Sequence, residues 1–162
     1  MGHKKEAITT GPFKVPAKIS GDPAGSFPNI TQIQFKNPTT KDFTIDMIID
    51  FATSSSGPEQ QLPPTRNFLV PHNSTRVIFL FGYAPNYILR VTVKGDVDED
   101  AEKVEVTVVG FRSSDNMHEP TMFFRHSDFV EVENLHIHAD PPSLTSPPLS
   151  MSESMPSLDD TI

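Results

Sequence analysis

Apolar and polar side chains alternate with a period of two along most of this chain. Phe43, Ile45, Met47, Ile49 and Phe51 share one side of an extended segment, with Thr44, Asp46 and Asp50 on the other. Tyr87, Leu89, Val91 and Val93 alternate with Arg90, Thr92 and Lys94; Val104, Val106 and Val108 with Glu105 and Thr107; Ile33 and Phe35 with Gln32, Gln34 and Lys36. Successive side chains of a strand point to opposite faces, so each segment reads as a strand with one core face and one wet face. Val77, Ile78, Phe79, Leu80 and Phe81 are continuously apolar. That pattern fits a central strand covered on both faces, or one side of an interface. Shorter strand candidates lie at 13–19, 66–70, 122–124 and 129–133.

The connectors carry turn chemistry: Ser20-Gly21-Asp22-Pro23, Asn37-Pro38, Ser56-Gly57-Pro58, Leu62-Pro63-Pro64, Pro71-His72-Asn73 and Lys94-Gly95-Asp96. Eight or nine short strands with no convincing helix predict an all-β chain, an antiparallel sandwich or barrel. A sheet with one polar face and no helix finds its second layer in another sheet, which favours the sandwich.

Composition changes this picture at the two ends. Residues 139–162 hold five prolines, six serines, four acidic residues and no Lys or Arg. So little apolar surface does not offset the entropy of ordering, and the segment reads as a disordered acidic tail. Residues 1–10 read as a flexible arm, which leaves 11–138 as the sandwich domain. The 162 residues carry a net charge of −8, which disfavours binding nucleic acid or anionic lipid through bulk charge. There is no cysteine, so disulfides, thiolate metal sites and thiol nucleophiles are excluded. No apolar run reaches the ~20 residues that span a bilayer. The N-terminal residues lack the apolar stretch of a signal peptide, which points to the cytoplasm. Two glycosylation sequons, Asn29-Ile30-Thr31 and Asn73-Ser74-Thr75, keep an extracellular setting open.

One constellation goes beyond alternation. A strand closes in Phe35-Lys36-Asn37-Pro38-Thr39, an extended segment follows, and Val70-Pro71-His72-Asn73-Ser74-Thr75-Arg76 leads into the apolar strand. Over roughly residues 30–95 this resembles the immunoglobulin-like superfamily of major-sperm-protein, PapD-like and ASH domains and of transglutaminase C-terminal domains. There a strand ending in Asn-Pro precedes an extended strand, and a Pro-x-x-Ser turn launches a central one. The resemblance implies an immunoglobulin-like sandwich that binds or scaffolds rather than catalyses.

Candidate chemistry is sparse. Asp96-Val97-Asp98-Glu99-Asp100-Ala101-Glu102 clusters carboxylates that suit calcium, with Asp96, Asp98 and Asp100 as the candidate ligands. The alternative is a solvated loop that keeps neighbouring edges apart by charge. His136 and His138 would point to one side of an extended stretch, with His126 nearby, but no third ligand is identifiable, so no metal site and no obligate cofactor is assigned. His126, Ser127 and Asp128 are triad residue types in adjacent positions, and neighbours on a strand point to opposite faces. With none of the usual nucleophile, zinc or phosphate-loop motifs present, the chain reads as a non-enzyme.

The expected function is a protein-interaction or scaffolding module that binds partner proteins through a sheet edge or face. Val77, Phe79, Phe81, Phe111, Phe123 and Phe124 are the candidate contact residues, and Ser146, Ser150 and Ser157 the candidate phosphorylation sites in a regulated tail. The alternatives are a jelly-roll coat or capsid subunit and an extracellular adhesion or carbohydrate-binding domain. Oligomeric state is left open.

Overall fold

The computed structural model describes residues 6–21, 26–62, 66–97, 102–132 and 150–152. Twelve strands and one short 3₁₀ turn make up its regular structure, with no α-helix among the described residues. One antiparallel sheet, sheet A, is centred on β8 (Ile88–Gly95) and β4 (Phe43–Ala52). Beside β8 run β1 (Glu6–Thr9) and then β2 (Phe13–Lys14), with β11 (Val130–Glu131) outside β1. Beside β4 run β6 (Arg66–Val70) and β5 (Gln60–Gln61). Sheet B has the order β10 (Met117–Phe124), β9 (Glu105–Arg112), β3 (Ile30–Asn37), β7 (Ser74–Phe81) and β12 (Ser150–Ser152), again antiparallel throughout.

The two sheets share one core, because each strand turns its apolar alternate residues the same way. Ile45, Met47, Ile49, Phe51, Leu89, Val91 and Val93 of sheet A meet Ile33, Phe35, Ile78, Leu80, Val106 and Val108 of sheet B in a single buried cluster. Aromatic contacts cross between the layers: Phe35 of β3 to Phe68 of β6 at 5.1 Å, and Phe13 of β2 to Phe124 of β10 at 4.8 Å. Each ring pair adds about 0.5–1.5 kcal/mol beyond the area it buries.

Several expectations need correction. Residues 6–9 of the expected flexible arm form β1, with Ile8 fully buried and Thr9 hydrogen-bonded to the Val91 carbonyl at 3.2 Å. Residues 150–152 of the expected disordered tail form β12 on the edge of β7, with Met151 half-buried against the core. The remaining tail residues, 139–149 and 153–162, lie outside the described residues. The third correction concerns His126–Asp128, which form the 3₁₀ turn and not part of a strand.

Lys94-Gly95, expected as a turn, ends β8 instead. Gly95 has φ +114°, and a Cβ there would stand 2.8 Å from the Thr44 carbonyl oxygen. Gly95→Ala therefore combines backbone strain with a clash against the neighbouring strand. Its expected cost is about 1–2 kcal/mol, read as a lower urea midpoint with an unchanged m-value.

Candidate interaction surface

The two outer faces of the sandwich differ in chemistry. On sheet A, Asp50 of β4 stands opposite Arg90 of β8, and the Arg90 Nη2 donates to Asp50 at 3.1 Å and to Glu59 at 2.5 Å. Asn67 donates to Asp46 at 2.6 Å, and Lys94 stands in register with Asp46. Thr92 and Thr9 are hydrogen-bonded across the β1–β8 pair at 3.1 Å. This face carries a cross-strand lattice of paired charges and hydroxyls at its centre around the buried Ile48, with exposed apolar side chains only on its flanking strands, Leu69 on β6 and Val130 on β11.

On sheet B the outward positions are largely apolar. Strand register lines up Phe81, Ile30, Phe111 and His118 in one row, and Phe79, Gln32, Val109 and Phe123 in the next. Val77 follows beside Gln34 and Thr107. Phe81 and Phe123 are 39% and 40% exposed, far more than the strand residues that fill the core. Val77, Phe79 and Val109 are half-buried. Phe111 is nearly covered, with edge-on contacts to Phe79 at 6.5 Å and His118 at 6.2 Å. Arg125 places its guanidinium 5.6 Å from the Phe123 ring centre, an attractive contact between cation and ring quadrupole.

Five of the six contact candidates from the sequence thus share one sheet face: Val77, Phe79, Phe81, Phe111 and Phe123. Phe124 does not join them. It follows Phe123 directly in β10, so it points the opposite way and packs on Phe13 inside the sandwich. The apolar run at Val77–Phe81 resolves in the same way. Ile78 and Leu80 face the core, while Val77, Phe79 and Phe81 face out.

The other candidates are placed as follows. Asp96 accepts the Thr44 N–H at 2.9 Å and so closes the end of the β4–β8 pair; Asp98 and Asp100 lie outside the described residues. His126 Nδ1 accepts the Val106 N–H at 3.0 Å, and the Asp128 carboxylate accepts the Arg125 N–H at 2.8 Å, so both hold the turn after β10. His136, His138, Ser146 and Ser157 lie outside the described residues, whereas Ser150 is exposed on β12 opposite Phe81. Among the described residues no group of three or more His, Asp or Glu side chains is placed to hold a metal ion, and no helix is long and apolar enough to cross a membrane. An open depression of about 470 Å³ is lined by Lys14, Pro16, Ala17, Asn86 and Thr121, with Lys14 its one charged group.

Comparison with family models, with curated proteins and with solved structures returns no match.

The perturbed ionisable groups serve the loops around these sheets. Asp42 accepts the His72 backbone N–H at 2.8 Å and contacts its ring nitrogen at 2.7 Å; these bonds hold its pKa below the ordinary carboxylate value. Asp115 is held low by the Arg112 guanidinium across the β9–β10 hairpin. Burial keeps the proton on the Tyr83 hydroxyl to well above its ordinary range, while Thr31 hydrogen-bonds it at 2.9 Å. One group was missed in the sequence, Glu119, a fully buried carboxylate in β10; Asn37, expected only as a strand-ending turn residue, also ties the ends of three strands together. Asn37 carried a signal in its Asn-Pro dipeptide, whereas Glu119 looks like any surface acid.

Proposed function

We propose that this protein is a non-catalytic interaction module, an immunoglobulin-like sandwich that binds a partner protein through the outer face of sheet B. The observation that carries the reading is the contrast between the two outer faces. One pairs its charges across its central strands and keeps its exposed apolar residues, Leu69 and Val130, apart on opposite flanks, whereas the other brings Phe81, Phe123, Phe79, Val77 and Val109 together on adjacent rows. A contiguous set of aromatic side chains on a rigid sheet is what a desolvated interface core needs. His126 and Asp128 near β10 are engaged in holding backbone, which supports a non-catalytic role.

The pairs β3–β7 and β4–β8 support the immunoglobulin-like part of the reading, since such sandwiches have one inner antiparallel pair in each sheet. The flanking strands depart from it: β9 joins β3 where the immunoglobulin order would put it beside β8, and β1 fills that slot. The tail adds regulation in this proposal. A phosphate on Ser150 would put about two negative charges beside Phe81 and lower the affinity of the face for an apolar partner.

The test is an affinity capture from the native cell type followed by mass spectrometry, with Phe123→Asp and Lys94→Glu compared with the unmodified chain. Loss of a hot-spot aromatic weakens binding by about 30-fold or more. The partner should therefore vanish with Phe123→Asp and persist with Lys94→Glu on the opposite sheet, both variants keeping the β-sheet circular dichroism of the parent. Retention by the folded Phe123→Asp variant would refute the role of this face.

A further inference from the structure

The edge of sheet B at β7 is occupied by the chain's own C-terminal region. β12 pairs antiparallel with β7 in the register Ser150–Phe81, Met151–Leu80 and Ser152–Phe79. Met151 enters between the sheets beside the core cluster, while Ser150 stays exposed. The contact is short. It uses three residues of an eight-residue strand, and along Ser74–Ile78 no strand among the described residues lies on that side. Eighteen residues, 132–149, separate β12 from the end of β11 in sheet A. Extended, they reach roughly 60 Å, well beyond the width of a domain this size. Such a tether holds its segment at an effective concentration on the order of millimolar.

These features describe a bound peptide that happens to be covalently attached. A strand added to a sheet edge gains affinity from main-chain hydrogen bonds and specificity from alternate side chains. Here one long apolar side chain goes inward and a small polar one faces solvent before it. A partner segment that pairs with more of β7 than three residues makes more ladder hydrogen bonds than β12 does, and can replace it despite the tether.

We propose that the β7 edge is a peptide-binding site. Its ligand is an extended antiparallel segment with a long apolar residue next to small polar ones, and β12 occupies the site as a built-in competitor. The proposal rests on the interaction-module reading and names its second ligand surface, an edge distinct from the face around Phe123.

The experiment uses the full chain and a fluorescein-labelled synthetic peptide of residues 146–156 as probe, followed by anisotropy. Met151→Asp in the full chain puts a charge where the apolar side chain enters and releases β12. The released chain should bind the probe about tenfold or more tightly than the parent, as expected on removing a millimolar competitor. The amides among residues 79–81 that point toward β12, and not those that point toward β3, should exchange faster in that variant, and a probe carrying Met151→Asp should bind neither chain. Ser150→Pro, which weakens the pairing without altering Met151, serves as a second releasing variant if the first fails to fold.

Equal probe affinity for parent and released chains, or equal binding of the Asp-substituted probe, would overturn the proposal. Phe123→Asp separates the two ideas, because Phe123 sits on β10 at the far edge of the sheet. A probe that fails to bind while Phe123→Asp still abolishes partner capture removes the β7 site and leaves the face. A probe that binds while Phe123→Asp keeps the partner removes the face and leaves the edge site.

Discussion

Asn37→Ala is expected to lower the free energy of unfolding by about 3–4 kcal/mol, one of the two largest effects of any single change considered for this protein. Asn37 ends β3 with no accessible surface, and every polar atom of its side chain is used. Its Nδ2 donates to the carbonyls of Lys41 at 2.6 Å and Val70 at 2.9 Å, while its Oδ1 accepts the Thr39 N–H at 3.0 Å and the Thr39 hydroxyl at 2.7 Å. One side chain thus fastens the crossing from β3 to β4 and the end of β6. Pro38 supplies no N–H and fixes the turn that brings Thr39 back onto the amide. Alanine leaves the buried Val70 carbonyl without this donor, and a buried unpaired polar group loses its hydration with nothing in return. Urea denaturation followed by circular dichroism reads the difference, and Thr39→Ala, which removes one arm only, should cost less than half as much. An Asn37→Ala midpoint within error of the parent would refute the clamp.

Glu119 carries the second large effect, and its sign depends on pH. Burial raises its pKa, but four hydrogen bonds outweigh that and leave it below the ordinary glutamate value. Oε2 accepts the Ser20 N–H at 2.7 Å, and Oε1 accepts the Ser20 hydroxyl at 2.7 Å and the N–H and hydroxyl of Thr121 at 3.2 and 3.1 Å. The carboxylate thereby pins the segment leading into β3 to the irregular stretch of β10 between Glu119 and Phe123. Because the folded pKa lies below the unfolded one, the stabilisation is complete above the unfolded value and is lost as pH falls through the folded value. Glu119→Gln is expected to cost about 3 kcal/mol at neutral pH, since an amide nitrogen in place of one oxygen faces a donor. The parent and variant should converge as the pH falls through the folded value, which lies below that of an ordinary glutamate. A Glu119→Gln penalty that stays constant from neutral pH down to the acid limit of folding would rule out the ionised carboxylate as its source.

The core strands were legible because their own alternation places them. β3, β4, β8 and β9 each send an alternating apolar series into the core, and that series needs no knowledge of what they pair with. β1 is different: Ala7 and Ile8 are its only apolar residues, and its place comes from β8 and β11, distant in sequence. The first half of β10 inverted the usual signals. A buried Glu119 reads as surface, and Pro120 reads as a strand end, although proline is tolerated on an edge strand at an irregular register such as this one. β12 has a single apolar anchor, Met151, and a strand so short leaves no period to detect. On the surface, Val77–Phe81 announced an apolar strand, but which of its side chains face out depends on the sheet laid beneath it. Phe123 and Phe124 show the same limit, since adjacent strand residues cannot serve one face and the sequence did not say which would.

The position of β1 has a consequence for how the chain is made. Its partners are β8 and β11, so β1 leaves the ribosome well before the segments it pairs with, which follow more than eighty and more than a hundred and twenty residues behind it. At ordinary synthesis speeds that wait is roughly 6–25 s, during which Ile8 has no cavity to enter. A topology dominated by such distant pairings also folds slowly, on the order of milliseconds to seconds after release. Sheet A can therefore be completed only once Val130 and Glu131 have been translated, and a nascent chain halted before Val130 would display β1 to chaperones and proteases.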